Sequence, residues 1–133
     1  MTEHADPSQK YSQETRAEQA VASLTSPLFN HEQGRSLLDG LDEVGWSYLT
    51  DMVLSHGLSG LVLDRLRDMD APQPTIAPLT EARKEAIKHG LWLQRESHRV
   101  VGLLKAGGCH RVAPIKGAHL LPCLYEKVGV RSI

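Results

Sequence analysis

The sequence has few aromatic residues and no long hydrophobic run. Aromatic residues make up 5% of the 133 residues, so a core would consist mainly of Leu, Val, Ile and Ala. No stretch of about 18 consecutive apolar residues is present, which argues against a membrane-spanning helix. The N-terminus, MTEHADPSQKYSQE, lacks the hydrophobic centre of a signal peptide. We therefore expect one cytoplasmic globular domain without a membrane partner.

Cysteine is also scarce. The two cysteines, Cys109 and Cys123, form no CxxC pair and have no histidine at a zinc-site spacing. We expect two reduced, partly buried thiols, because cytosolic proteins seldom contain disulfides. The histidines include no HExxH motif. The sequence therefore predicts no metal site.

The net charge of −1 hides an asymmetry along the chain. Residues 97–133 contain six basic residues and one acidic residue, a net charge of +5. A basic segment of this kind is either a solvated face or a surface that contacts phosphates. Composition slightly favours the solvated face.

Most of the chain has the residue patterns of helices. Residues 1–13 have the composition of a disordered tail, and residues 14–106 form the predicted helical region. Ala, Glu and Gln favour a first helix from about Gln13 to Thr25. Apolar residues recur at three- and four-residue spacing over Arg35–Met69, and Gly57 is suited to end a helix within that region. An antiparallel helix pair is expected there.

Prolines separate this region from a long final helix. Three prolines predict a linker over residues 70–78, because proline cannot continue a helix interior. The next pattern predicts a helix from about Leu79 to Ala106, which Gly107 and Gly108 would end. One apolar stripe runs along this helix and consists of Ala86, Gly90, Leu93, Ser97, Val101 and Leu104.

The pattern changes over residues 107–133. The segment CHRVAPI, residues 109–115, is short, contains Val and Ile, and is flanked by glycines, which predicts a strand. AHLLPCLYEK then returns to a helical pattern. The predicted fold is mainly α, in the α+β class, with a small incomplete β portion at the C-terminus. Unpaired backbone groups of such a strand would favour a protein partner or self-association.

A Lys-Gly pair lies between the predicted strand and the following helix. A glycine there lets a phosphate approach the backbone amides and the helix N-terminus, and Lys116 would add a positive charge near Gly117. The GxxxxGK[ST] motif is absent, so this is not a Walker A loop. On these residues alone, a structural turn is the stronger interpretation.

The order of residues in this segment resembles the signature of the bacterial nucleotidyltransferase-like family of the DNA polymerase β superfamily. The matching residues are Ile115, Lys116, Gly117, Ala118, Tyr125, Gly129 and Arg131. The upstream helical region is similar to that family as well, with Trp46, His56, Gly57, Leu61 and Leu66 in the expected order. The resemblance covers nearly all of the chain after about residue 35.

The resemblance implies a nucleotide site that these 133 residues contain only in part. Lys116, Gly117 and Ala118 would contact the NTP triphosphate, and Arg131 would support them. In the family, two aspartates spaced i, i+2 on the next strand hold Mg²⁺ for nucleotidyl transfer. That pair would follow Ile133, so we expect an N-terminal part of a longer protein, inactive alone, without catalytic or metal-binding residues of its own. Mg²⁺ is expected for full-length relatives.

Two other functions stay open at this point. The chain is alternatively a helical binding or regulatory module, in which the Lys-Gly pair is only a turn and the basic end contacts a protein. A nucleic-acid-binding domain is a weaker third possibility, because no basic recognition helix or stacking set of aromatics is evident. Acidic residues such as Asp39, Asp64 and Asp68 are expected on solvated surfaces.

Overall fold

The computed structural model describes residues 6–113, which contain five helices. They are α1 (Pro7–Thr25), α2 (His31–Asp39), α3 (Glu43–Ser55), α4 (Ser59–Asp68) and α5 (Gln73–Ala106). Helix α1 packs against α2, α3 and α4, and α5 packs against α3 and α4. The prediction of a mainly α protein is confirmed.

The β portion expected from the sequence is not seen in this part of the chain. Residues 109–113, which belong to the predicted strand, have no regular secondary structure. An isolated strand is not stable without a partner strand, and residues 6–113 provide none. The rest of the predicted β portion lies outside the described residues.

The core is aliphatic, as the scarcity of aromatic residues predicts. Every helix contributes to it, and Leu24, Leu49, Val53, Leu63 and Leu66 are completely buried. Helix α1 supplies small residues that allow close packing, Ala17 and Ala20 among them. The only aromatic side chains that contact this cluster within residues 6–113 do so from its edge, and they are Phe29, Trp46 and Tyr48.

Helix α1 begins earlier than expected. Its first residue is Pro7, so the helix includes the second half of the stretch interpreted as a disordered tail. The Asp6 carboxylate caps it by accepting hydrogen bonds from the amide and the hydroxyl of Ser8, at 3.1 and 2.7 Å. Proline is favourable at the first helical position, because its missing N–H has no helical partner there. The predicted start near Gln13 was therefore wrong.

The side chain of Gln13 fixes the connection between α2 and α3. Its amide nitrogen donates to the Gly40 carbonyl at 3.1 Å, and its amide oxygen accepts from the Asp42 N–H at 2.9 Å. Asp42 in turn caps α3 by accepting from the Gly45 N–H at 2.9 Å. The first turn of α3 is therefore attached to α1 as well as capped locally.

Gly57 ends α3 as predicted. It adopts a left-handed conformation with φ of 63°, and the Leu58 N–H donates to the Val53 carbonyl at 2.9 Å. The Gly57 N–H donates to the Leu54 carbonyl at 3.2 Å, which completes a Schellman motif. The same pair of bonds ends α4 around Asp70, with φ of 55°, and α5 around Gly108, with φ of 97°.

Helix α5 starts at Gln73 and includes part of the predicted linker. Pro74 lies in the first turn, where its missing N–H has no cost, whereas Pro78 lies inside the helix. Ile76 and Leu79 are buried on either side of Pro78. Their burial against α3 and α4 compensates for the one helical hydrogen bond that Pro78 cannot make.

Arg65 of α4 connects that helix to the end of α1. Its Nη1 atom donates to the carbonyls of Leu24 at 2.7 Å and Ser26 at 3.0 Å. The guanidinium carbon lies 4.5 Å from the centre of the Phe29 ring. One side chain thus satisfies carbonyls that the end of α1 leaves without helical partners.

Candidate functional site

The predicted nucleotide contacts lie outside the described residues. Lys116, Gly117, Ala118 and Arg131 all follow Ala113, where the described part ends. The chain that leads to them is described: α5 ends at Ala106 with Gly107 as its C-cap, the chain turns at Gly108, and the next three residues, Cys109, His110 and Arg111, are exposed. The expectation of a partly buried thiol at Cys109 was wrong, because the residue follows the end of a helix whose last turns no other described element covers. Cys123 lies outside the described residues.

One pair of carboxylates in the sequence has the i, i+2 spacing of the family's metal site. Asp68 is the last residue of α4, and Asp70 has the left-handed conformation of the following turn. The extended geometry that would align the two carboxylates on one face is therefore absent. No group of three His, Cys, Asp or Glu residues between positions 6 and 113 is suitable for a metal ion. The described residues thus do not fit Mg²⁺.

Two neighbouring grooves lie on either side of the outer face of α3. One, of about 510 Å³, lies towards the start of α5 and is lined by Trp46, Thr50, Pro72, Pro74 and Thr75. The other, of about 490 Å³, lies towards α1 and is lined by Lys10, Glu14, Val44 and Tyr48. Both grooves also share three residues of α3, which are Glu43, Ser47 and Asp51.

The electrostatics of these grooves disfavour a triphosphate. Glu43 and Asp51 lie two helical turns apart on the ridge between the grooves, and Glu14 lines the α1 side. Lys10 is the single basic residue among the lining residues of either groove. A polyanion would therefore meet three carboxylates for one ammonium group. The sequence shows that Glu43, Ser47 and Asp51 repeat at i, i+4 on one helix face. It does not show the grooves beside that face, because these form between helices that are distant in the sequence.

Tyr48 and Glu18 form a hydrogen-bonded pair beside the groove between α1 and α3. The Tyr48 hydroxyl donates to the Glu18 carboxylate at 3.0 Å. This hydrogen bond, with smaller effects of burial and of the Glu18 and Glu14 charges, raises the pKa of Tyr48 above its ordinary value. Tyr48 therefore stays protonated at neutral pH and serves as a hydrogen-bond donor, not as a base.

The upstream residues that carry the family resemblance have mainly structural roles. Gly57 forms the left-handed turn after α3, and Leu66 is completely buried. His56 is exposed at the C-cap of α3, and Leu61 is on the exposed side of α4. Trp46 is half-buried at the edge of the core and lines one groove. Trp46 shares that groove with the carboxylates of Glu43 and Asp51.

Comparison with known proteins identifies the family. A family model described as an uncharacterised nucleotidyltransferase matches residues 42–133, about two thirds of the chain. The chain therefore belongs to this family of nucleotidyltransferases, and the resemblance found in the sequence is confirmed. Neither the curated proteins nor the solved structures include a match.

The matched span divides the molecule unequally. It includes α3, α4 and α5 together with residues 107–133, which contain all the predicted nucleotide contacts. It excludes α1 and α2, although α1 packs directly on α3. Among the described residues, no helix is long and apolar enough to cross a membrane.

Proposed function

We propose that this protein takes part in the transfer of a nucleotidyl group from an NTP to an acceptor. Lys116, Gly117 and Ala118 would contact the triphosphate, with Arg131 as a supporting positive charge. The observation that carries this proposal is the family match, which extends from α3 past the Lys-Gly segment. Backbone amides at a glycine and a nearby lysine are suitable partners for phosphate oxygens.

In this proposal the described helices support the site and do not supply its chemistry. The charged residues that line their two grooves beside α3 are three carboxylates and one lysine, and the buried interior of the bundle is aliphatic. The exposed basic residues Lys105 and Arg111 lead towards the Lys-Gly segment, where positive charge favours a polyanion. The triphosphate would therefore bind beyond α5 and not on α3.

The proposal includes Mg²⁺ for relatives that contain the complete pair of aspartates on a strand. When bound there, the metal would neutralise phosphate charge during transfer. The pair Asp68 and Asp70 does not replace it, because the backbone around these residues is not extended. We therefore propose that the 133-residue chain binds an NTP without catalysing transfer.

Binding of ATP, GTP, CTP and UTP to the whole chain, measured by isothermal titration calorimetry, tests this proposal. Lys116→Ala should weaken binding of the preferred nucleotide about tenfold, since it removes one charged phosphate contact. Lys88→Ala is the matched control, because it removes an exposed lysine from the middle of α5, away from the Lys-Gly segment, and should leave the affinity within about twofold. If none of the four nucleotides binds, the proposed nucleotide site is rejected. That result would favour the alternative function, a helical binding module.

Turnover by the same preparation tests the second part. With Mg²⁺ and each NTP, no release of pyrophosphate above background is expected. Sustained release that Lys116→Ala abolishes would show that the chain is active alone and that its metal ligands lie elsewhere. This result would contradict the proposed inactivity but not the nucleotide site.

A further inference from the structure

The second half of α5 carries an apolar face that no other described helix covers. Val100 and Leu104 lie on it and are 44% and 42% exposed. The buried residues of α5 all lie earlier in the helix, and Gly90 is the last of them. Helices α3 and α4 therefore cover only the first half of α5.

The uncovered face continues the covered one. Leu79, Ala86 and Gly90 face the bundle at spacings of seven and four residues. Leu93, Ser97, Val101 and Leu104 extend the same stripe past the end of the bundle. The charged residues Arg95, Arg99 and Lys105 lie on other sides of the helix. An amphipathic helix keeps its pattern along its length when both halves are packed, so the second half has the sequence of a packed helix.

We propose that residues 114–133 of the same chain dock on this face of α5. Half of these twenty residues are hydrophobic, including Leu120, Leu121 and Leu124. The segment follows the left-handed turn at Gly108, which ends α5 and changes the direction of the chain. The occupant of the face is thus the segment that bears the predicted nucleotide contacts.

The segment is long enough to cover this face. From Leu91 to Leu104 the helix rises about 20 Å, at 1.5 Å per residue. Twenty residues extend about 30 Å even if they are entirely helical, and further if they are extended. Only Cys109 to Ala113 separate the turn from the segment, so the connection is short.

Two further observations favour the chain's own segment over a second copy. The family match includes both the whole of α5 and residues 107–133, so the two belong to one unit of the family. A segment tethered by a short connection also has an effective concentration on the order of millimolar at the face, well above that of a separate copy in solution.

Alkylation of single cysteines in the whole chain tests the docking. In a background with Cys109→Ser and Cys123→Ser, Leu104→Cys places a thiol on the proposed interface. Gly102→Cys is the matched control, because a side chain at Gly102 meets nothing within 4 Å. The alkylation rate of each variant with neutral iodoacetamide is divided by the rate of the same variant unfolded in urea, which removes differences in intrinsic thiol reactivity. Cys at position 104 should react about tenfold more slowly than Cys at position 102, at every protein concentration.

A variant of the segment distinguishes the possible occupants. Leu120→Asp, Leu121→Asp and Leu124→Asp, introduced together, should bring the two rates within about twofold of each other, since charged residues cannot remain on an apolar interface. Equal rates without these substitutions would show that nothing covers the face and would overturn the proposal. Protection that increases with protein concentration would assign the face to a second copy. Protection that survives the three substitutions would also overturn it.

Discussion

The hydroxyl oxygens of Thr50 and Thr75 lie 2.9 Å apart in a buried hydrogen bond that joins α3 to the first turn of α5. Thr50 also lies 2.8 Å from the Trp46 carbonyl oxygen of its own helix. Thr75 has no other side-chain hydrogen bond among residues 6–113, and it is 2% exposed. The two residues are therefore unequal: Thr50 has an alternative partner and Thr75 has none.

This inequality predicts different costs for two similar substitutions. Thr50→Val should lower the free energy of unfolding by about 2 kcal/mol, because it leaves the Thr75 hydroxyl buried without a partner. Thr75→Val should cost about 1 kcal/mol, since Thr50 keeps its bond to the Trp46 carbonyl. Urea denaturation measures both, and Thr15→Val on the outer side of α1 is the control, within about 0.5 kcal/mol of the parent. Equal costs for the two would contradict this account.

Asp70 predicts a stabilising substitution. Its φ of 55° is in the left-handed region, which costs an L-amino acid energy that glycine avoids. Asp70→Gly should raise the free energy of unfolding by about 0.5–1 kcal/mol, with an unchanged urea m-value. Asp68→Gly, two residues earlier in the last turn of α4, should have the opposite effect. A lower midpoint for Asp70→Gly would be inconsistent with the Schellman geometry.

Arg65 predicts that shape as well as charge matters at the end of α1. Arg65→Met should destabilise the fold by about 2 kcal/mol, because two carbonyls lose their donor and Phe29 loses its cation. Arg65→Lys should recover less than half of this loss, since an ammonium group lacks the planar fork of donors. Arg67→Met is the control and should change stability by about 0.5 kcal/mol or less, since Arg67 is exposed. Full recovery by Lys would show that only the charge is needed.

The Tyr48 pair predicts a pH dependence at the alkaline end. The pKa of Tyr48 is raised above the ordinary value of 10.0, so its hydrogen bond to Glu18 stabilises the fold below about pH 10 and is lost as the pH rises through the folded-state pKa. Glu18→Gln should lower the Tyr48 pKa towards 10.0, as measured by NMR titration of Cζ, the ring carbon that bears the hydroxyl. Glu14→Gln should lower it less, because Glu14 acts only through its charge. An unchanged pKa in Glu18→Gln would reject the interaction.

The sequence predicted the helical fold well where local signals decide, and less well where packing decides. Gly57 was recognised because a left-handed turn strongly favours glycine. The start of α5 was placed six residues too late, because the burial of Ile76 and Leu79 against distant helices outweighs the local effect of Pro78. The left-handed turn at Asp70 was missed because no glycine is present there.

The order of residues in the sequence was enough to recognise the family. It was not enough to predict the geometry of the candidate site. The resemblance depended on Lys116, Gly117 and Arg131, and the family match includes all three. The sequence did not predict that Glu43, Ser47 and Asp51 line grooves, because a polar helix face has the same sequence pattern whether or not grooves flank it. Which helices form those grooves depends on contacts between α1, α3 and α5.

The family match begins at residue 42, after α1 and α2 in the sequence. Yet Ala17, Ala20 and Leu24 of α1 are completely buried in the same cluster as Leu49 and Val53 of α3. The boundary of the matched span therefore passes through the hydrophobic core, and helices outside the span help to bury side chains within it. Relatives whose N-terminal helices differ are expected to change at Leu49 and Val53 in step.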